Sequence, residues 1–434
     1  MDSKLAGDCQ LRQLRLALAC TGEYANFHGG TVTSVLAAMN TSMNRVNGVY
    51  EREASITMVL VPNNDELIFL NAGSDPYTNE SGGAMLGQNQ QTVDAIIGSN
   101  NYDIGHVFST GGGGIASLQS PCGGSKARGV TGLPSPVGDP FDIDYVCHEM
   151  GHQYGGNHTQ YNNCNRANVA AMEPGSASTI MGYAGICAPN IQNNSDDYFH
   201  SISLLEIANF ITNVNCPDII NTNNDPPTVD AGANHIIPHS TPFELIAEGN
   251  DTNNDPLTYC WEQMDNDGSA PMPPVSTNTQ GPLFRTFDPT PSPSRVFPRW
   301  SNLVNNSSYD WETLPSVARN MDFNCTVRDN NSMYGCTAED NMRVTVDGNS
   351  GPFLVTAPNT NNITWLVGTQ ETVTWDVANT DQAPVNASTV DISLSFDGGY
   401  TYPMVLASGV PNTGSYTVMV PNTIGNENLS LIHI

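Results

Sequence analysis

The sequence predicts a multidomain protein in which an α+β domain is followed by two all-β sandwiches. Its 434 residues exceed what one hydrophobic core usually organises, so two to four domains are expected. Runs of helical and strand periodicity alternate in the first half, whereas short runs of period two follow a polar, proline-containing linker at residues 221–227. These patterns place the domains at residues 1–220, 226–350 and 351–434.

The first domain is predicted to begin with the order β-α-β-β-α-β. Apolar residues recur at helical spacing across residues 31–50, which predicts a long amphipathic helix, and β-rich runs lie on either side of a Pro-Asn-Asn-Asp turn. The predicted strands are 14–20, 55–61, 67–70 and 106–108, and the predicted helices are 31–50, 89–97 and 198–211.

The second and third domains are predicted to be immunoglobulin-like sandwiches. Trp261 stands where such a sandwich buries a tryptophan, and residues 323–327 and 342–346 would close the second domain, which is also similar to PKD-like modules. In the third domain, residues 372–376 and 390–396 alternate at period two. Because residues 426–434 supply no convincing last strand, we expect this domain to be truncated.

Charge and cysteine content limit the class of protein. Acidic residues number 43 against 14 basic ones, for a net charge of -29, and such a surface repels nucleic-acid phosphates. No apolar run is long enough to span a membrane. Ten scattered cysteines without a C-x-x-C motif favour disulfides and an oxidising compartment. We expect a secreted protein whose signal peptide and propeptide are missing from this fragment.

One stretch, residues 148–158, carries the chemistry. His148 and His152 are four residues apart, so on a helix they project from one face and can share a Zn²⁺ ion. Glu149 would point across the site, as suits a general base. Gly155 allows a left-handed turn that returns His158 as a third ligand. Three protein ligands leave a position for water, which is typical of a catalytic zinc site.

This stretch fits HExxHxxGxxH at every fixed position, and the sequence therefore resembles the metzincin metalloproteases. The segment around Met181 resembles their Met-turn, and the overall pattern is most similar to the reprolysin (adamalysin-like) branch. One departure is Thr159, which stands where reprolysins often have Asp. The resemblance implies a mixed twisted sheet with an active-site helix, and hydrolysis of peptide bonds in a protein or peptide substrate.

Further roles are implied by the resemblance. Met181 would pack under the metal without binding it. Tyr183 has the spacing of a tyrosine that stabilises the oxyanion in some metzincins, but it could equally be a buried wall residue. The glycine-rich segment would form an edge strand above the zinc that pairs with substrate, the alternative being a flexible loop. This predicted edge strand consists of Gly114, Ile115, Ala116 and Ser117.

The resemblance also implies two disulfides, Cys122–Cys216 and Cys164–Cys187. Spacing alone does not assign the other six cysteines, although a Cys260–Cys325 bridge is conceivable, with Cys336 as a competitor. Residues 75–80 have the oxygen-rich composition of a Ca²⁺ loop but fit no EF-hand pattern, so a turn is the safer interpretation.

Together these features predict a secreted zinc endopeptidase. The alternative is an adhesion or binding protein that uses its immunoglobulin-like modules, with the metzincin domain secondary or inactive. A mutated ligand or a missing Glu149 would favour that alternative, and neither is found.

Overall fold

The computed structural model describes residues 4–5, 8–307, 311–360, 363–423 and 429–433. It opens with strand β1 (Lys4–Leu5), which belongs to the sheet of the second domain. The first domain contains strands β2 (Leu11–Cys20), β3 (Ile56–Leu60), β4 (Ile104–Ser109), β5 (Gly113–Ala116), β6 (Gly129–Gly132) and β7 (Asp218–Ile220). Its helices are α1 (Gly22–Phe27), α2 (Val32–Ala54), α3 (Gly82–Ile96), α4 (Asp139–Phe141), α5 (His148–Gln153) and α6 (Ser201–Ile211).

A mixed sheet forms the centre of this α/β domain. Its strand order is β3-β2-β4-β6-β5, with β7 pairing against β2. Strands β2, β3, β4 and β6 run parallel, and β5 is an antiparallel edge strand. Leu14, Leu16 and Leu18 face α2 and the active-site helix, whereas Ala17 and Ala19 face α3, so β2 is buried on both sides.

The predicted strand at residues 67–70 is wrong. The structure has a 3₁₀ turn at Asn64–Leu67 there, and only one bridge joins Cys20 to Ile68. The reason is local: the Asn64 amide accepts from the Leu18 N–H at 2.8 Å and donates to the Leu18 carbonyl at 2.9 Å. A side chain thereby satisfies the backbone groups that a strand would otherwise pair.

The rest of the chain is mostly β-structure. The second domain contains β8 (Thr228–Asp230), β9 (His235–Pro238), β10 (Phe243–Ile246), β11 (Glu248–Asn250), β12 (Thr258–Gln263), β13 (Ser294–Phe297), α7 (Trp300–Val304), β14 (Arg319–Arg328) and β15 (Thr337–Asp347). Its main sheet has the order β1-β15-β14-β12, with β9 parallel to β15, and two two-stranded sheets accompany it. Whether this arrangement is an immunoglobulin-type sandwich remains a prediction.

The third domain contains β16 (Leu354–Ala357), β17 (Gln370–Asp376), β18 (Thr389–Ser395), β19 (Met404–Pro411), β20 (Ser415–Met419) and β21 (Leu429–His433). They form two three-stranded sheets, β16-β17-β20 and β19-β18-β21, and residues of both contribute to one core. Strand β21 pairs antiparallel with β18, so the prediction that no last strand is present is wrong. Residues 426–428 and 434 lie outside the described residues.

Three disulfides are present: Cys122–Cys216, Cys164–Cys187 and Cys9–Cys336. The first two are the pairs that the family resemblance implies. The suggested bridge Cys260–Cys325 does not form. Cys325 lies opposite Trp261 in the ladder, and neighbouring residues alternate faces, so the side chains of Cys260 and Cys325 point to opposite sides of the sheet. Within the described residues, no helix is long and apolar enough to cross a lipid bilayer.

Candidate metal centre

The helix that carries the first two histidines begins well before them. The α4 turn continues through a π-helical segment, Asp142–Cys147, into α5. Gly155 follows with φ +100, a conformation that strains residues with a Cβ atom. Its N–H donates to the His152 carbonyl, and the chain then reverses and brings His158 beside the helix.

Each histidine is oriented by a backbone carbonyl. The Nδ1 atoms of His148, His152 and His158 lie 2.7 Å from the carbonyl oxygens of Ile180, Gly156 and Asn165, respectively. A carbonyl can only accept, so each Nδ1 carries the proton and each Nε2 presents a lone pair. A metal-binding histidine is commonly fixed in this way.

The three nitrogen ligands fit a shared metal ion. One ligand atom from each histidine lies within 4.8 Å of the others, and His152 Nε2 is 2.9 Å from His158 Nε2. Two lone pairs at that distance repel unless a cation lies between them. Burial lowers the pKa values of all three histidines, that of His152 to about 4, and repulsion from neighbouring histidines adds to the effect at His148 and His152. These shifts favour neutral rings. Three neutral imidazoles suit Zn²⁺.

Glu149 lies directly under the edge strand β5. A Cβ atom at Gly114 would come within 2.2 Å of Glu149 Oε1, so a larger residue there would force the carboxylate or the strand to move. Glu149 Oε2 is buried without a hydrogen-bond partner. Burial raises the pKa of Glu149 to about 8, and a bound cation would act in the opposite direction. The carboxylate is thus held next to the histidines with one oxygen free.

Met181 packs beneath the ligand helix. A Cβ atom at Gly151 would lie 2.4 Å from Met181 Sδ, so the helix and the Met-turn approach as closely as a glycine permits. The turn also binds the ligands through its backbone, because the Ile180 carbonyl holds His148 and the Met181 carbonyl accepts from the Thr159 N–H. The thioether supports the site from below.

Glu173 was not singled out from the sequence, although it organises the segment between His158 and Met181. Its buried carboxylate accepts from the Thr159 hydroxyl at 2.6 Å, from the Thr179 hydroxyl at 2.5 Å, and from the Ser178 N–H at 3.0 Å. Thr159 is the residue directly after the third histidine, where the resemblance would place an Asp. Its hydroxyl instead donates to the carboxylate of Glu173. A lone Glu between Met172 and Pro174 gives no local signal of this role.

Tyr183 lies beside the ligands and lines a cleft. Its ring centroid is 4.5 Å from that of His158, and its hydroxyl accepts from the Asn165 side chain at 3.3 Å. The cleft has a volume of about 370 Å³ and lies between the edge strand and the segment after the Met-turn. Its walls include Gly114, His148, Glu149, Tyr183, Ile186 and Asn194. A substrate side chain could enter here next to the metal ligands.

Strand β5 covers most of the predicted edge segment. Gly114, Ile115 and Ala116 pair with β6, and the Ser117 N–H donates to the Arg128 carbonyl just beyond the strand. Within the described part of the chain, no strand pairs with the other side of β5. That side therefore presents unpaired backbone groups above the histidines.

The second domain contacts the loop that follows His158. The Tyr161 hydroxyl donates to the Asp267 carbonyl at 2.7 Å, and the Arg166 guanidinium donates to the carbonyls of Asn266 and Gly268. The bridge Cys164–Cys187, with Cα atoms 6.0 Å apart, ties the same loop to the segment after the Met-turn. The surroundings of the third histidine thus come from two domains.

The suggested calcium loop at residues 75–80 is used structurally. Asp75 accepts from the Gly22 N–H at 2.7 Å and from the Tyr77 N–H at 2.9 Å, as expected of a turn. Within the part of the chain that the structure describes, this stretch contributes to no three-ligand cluster. Calcium binding there is not supported.

Fold and site together define a metallopeptidase: a mixed sheet with an antiparallel edge strand above a three-histidine centre. Residues 11–211 match the family described as metallo-peptidase family M12B, reprolysin-like, so the first domain is a reprolysin-like zinc metalloendopeptidase. Residues 358–433 match the Kre9/KNH-like N-terminal Ig-like domain, which makes the C-terminal module immunoglobulin-like. A search among curated proteins finds no significant match.

Proposed function

We propose that this chain is a secreted endopeptidase in which Glu149 is the general base and strand β5 aligns the substrate backbone. The observation that carries the proposal is the position of Glu149, which is buried beneath Gly114, lines the same cleft as His148 and has one oxygen unpartnered. An extended peptide that pairs with the open side of β5 would pass directly over this carboxylate.

His148, His152 and His158 would hold Zn²⁺ through their Nε2 atoms. When bound by these residues, the ion would supply Lewis acidity for polarising the scissile carbonyl and acidifying water. Glu149 accepts the proton of the attacking water and delivers it to the leaving amine, for which its free oxygen is available. Tyr183 would stabilise the developing oxyanion, and the cleft beside it would receive a substrate side chain.

The domain limits 1–220, 226–350 and 351–434 are part of the proposal, but the first and second domains are not separate in space. Strand β1 and the Cys9–Cys336 bridge join the N-terminal residues to the second domain, which therefore supports the catalytic domain directly. Three disulfides favour secretion into an oxidising environment. The adhesion alternative is not favoured, because the ligands, Glu149 and the open edge strand occur together.

The deciding experiment is Glu149→Gln in the full chain, assayed on a denatured protein and on a quenched peptide mixture. We expect zinc content and thermal stability close to wild type, and turnover lower by roughly 10²–10⁴-fold, since general base catalysis contributes about that much. Removing zinc with a chelator should abolish wild-type cleavage, and adding zinc back should restore it. Near-normal cleavage by the variant would refute the role of Glu149.

A further inference from the structure

A second cluster of oxygen ligands lies where the linker from the first domain meets the second domain. Asp251 and Asp255 lie in the loop between β11 and β12, and Asp329 follows β14. One carboxylate oxygen from each lies within 4.8 Å of the others. Asp251 is 8% exposed, Asp329 is fully buried and Asp255 is half-buried, so two of the three carboxylates are shielded from water.

Two oxygens at this cluster lack hydrogen-bond partners. Asp251 Oδ2 is buried and unpartnered, although its Oδ1 accepts from the Asp255 N–H. Asn224 Oδ1, from the linker, is likewise buried and unpartnered. The Asn224 amide nitrogen donates to Asp329 Oδ2 at 2.5 Å and to the Tyr334 carbonyl, which sets the orientation of the amide beside the cluster. Asn224 is thus held against Asp329 with its own amide oxygen unpartnered.

The negative charge of the cluster is not neutralised by a basic side chain. Among the described residues, no Lys, Arg or His forms an ion pair with Asp251, Asp255 or Asp329. Backbone and amide groups donate hydrogen bonds to these carboxylates, but a buried carboxylate without a charge partner is still costly, and a cation is the usual remedy. Carboxylate and amide oxygens without nitrogen or sulfur are the ligands of a hard divalent ion, and a cage built from protein oxygens favours Ca²⁺ over Mg²⁺.

We infer that Asp251, Asp255, Asp329 and Asn224 bind one Ca²⁺ ion that fastens the interdomain linker to the second domain. The site differs from residues 75–80 and does not depend on the peptidase mechanism. Asp329 also accepts from the Cys336 N–H at 2.8 Å, so the ion would order the loop that carries the Cys9–Cys336 bridge.

The test uses the full chain, stripped of metals and then reloaded with one equivalent of zinc. Calcium is titrated by calorimetry, and thermal unfolding is followed at each calcium concentration. We expect one saturable Ca²⁺ per chain, with affinity near the 10⁻⁴–10⁻³ M typical of extracellular modules, and a rising melting temperature. Asp251→Asn and Asp255→Asn should each weaken binding by about tenfold or more, because each removes a charged ligand.

Asp381→Asn, at an exposed carboxylate of the third domain, is the matched control and should bind Ca²⁺ like wild type. The inference is overturned if wild type binds no Ca²⁺ in this concentration range. This outcome does not depend on whether the variants fold. It is also overturned if Mg²⁺ binds equally well, or if Asp381→Asn weakens binding as much as Asp251→Asn does. Circular dichroism without calcium verifies that the variants are folded.

Discussion

Tyr183 shows how one side chain near the histidines can serve either structure or catalysis. Its ring packs edge-on against His158, whereas its hydroxyl accepts a hydrogen bond from the Asn165 side chain. Packing depends on the ring, and oxyanion stabilisation depends on the hydroxyl. The two roles are therefore separable by removing one oxygen atom.

We expect Tyr183→Phe to lower kcat by about 10-fold or more while KM changes little, because a donor to the oxyanion acts mainly in the transition state. Steady-state kinetics on a single peptide measures both constants. Asn165→Gly serves as the control, since it removes the hydroxyl's partner, leaves the phenol and tolerates the left-handed backbone (φ +51) whose carbonyl orients His158. An unchanged kcat in Tyr183→Phe would assign this residue to the wall of the cleft.

At the residue scale, the sequence is informative where the chemistry depends on local spacing. His148, His152 and His158 are brought together by one helix and one turn, so eleven consecutive residues specify their meeting. Glu173 acts through hydrogen bonds with Thr159 and Thr179, which only the folded loop brings together, so no sequence periodicity predicts these contacts. The orienting carbonyls are invisible in the sequence for the same reason.

At the scale of elements, the relevant contact is between strand β5 and the ligand helix. A Cβ atom at Gly114 would collide with three atoms of Glu149, whereas a Cβ atom at Gly112 would meet nothing within 4 Å. Two glycines in one run therefore differ sharply in what they tolerate.

We predict that Gly114→Ala lowers kcat/KM by about 10²-fold or more, because either Glu149 or the strand must move and catalytic geometry tolerates little displacement. Zinc content should be preserved, since none of the histidines is touched. Gly112→Ala should retain activity within about threefold, as expected for a Cβ atom that meets no neighbour. Equal activity of the two variants would contradict the proposed placement of β5 over Glu149.

Sequence periodicity located most helices and strands of the first domain. It failed where one side-chain contact determines the local structure. The helix predicted at residues 31–50 is α2, which runs on to Ala54. The false strand at residues 67–70 arose because β-rich composition cannot reveal that the Asn64 amide pairs with Leu18. The missed strand β21 owes its existence to its partner β18, a long-range pairing without a local signal.

At the scale of the whole molecule, the first two domains share a buried polar interface. Arg328, at the end of β14, donates to both oxygens of Glu53 on α2, at 2.9 and 2.7 Å. Burial by itself would raise the pKa of Glu53, but Arg328 and Arg52 outweigh burial and hold the pKa below its ordinary value. The linker at residues 221–227 predicts separate domains, but a sequence does not show which charged residues will be buried against each other across a domain boundary.

Glu53→Gln should lower the free energy of unfolding by about 3–5 kcal/mol, since it leaves the Arg328 charge buried without a partner. Because the folded-state pKa of Glu53 is depressed, its contribution is present above its ordinary pKa and is lost as pH falls through the lower, folded-state value. The difference between wild type and variant should therefore shrink in acid. Urea unfolding at several pH values measures it.

Glu51→Gln, on the same helix but outside the interface pair, is the control and should change stability by less than about 1 kcal/mol, because a glutamine oxygen can still accept from the Thr57 hydroxyl. A Glu53→Gln protein as stable as wild type at neutral pH would mean that the charge pair contributes little to joining the domains.

The Cys9–Cys336 bridge spans 327 residues and encloses the linker between the first and second domains. A peptidase that cut its own chain in the linker at residues 221–227 would therefore release no fragment. Both pieces would migrate together on a non-reducing gel and separate only after reduction. The bond makes this protein resistant to losing its catalytic half through the very reaction that it catalyses.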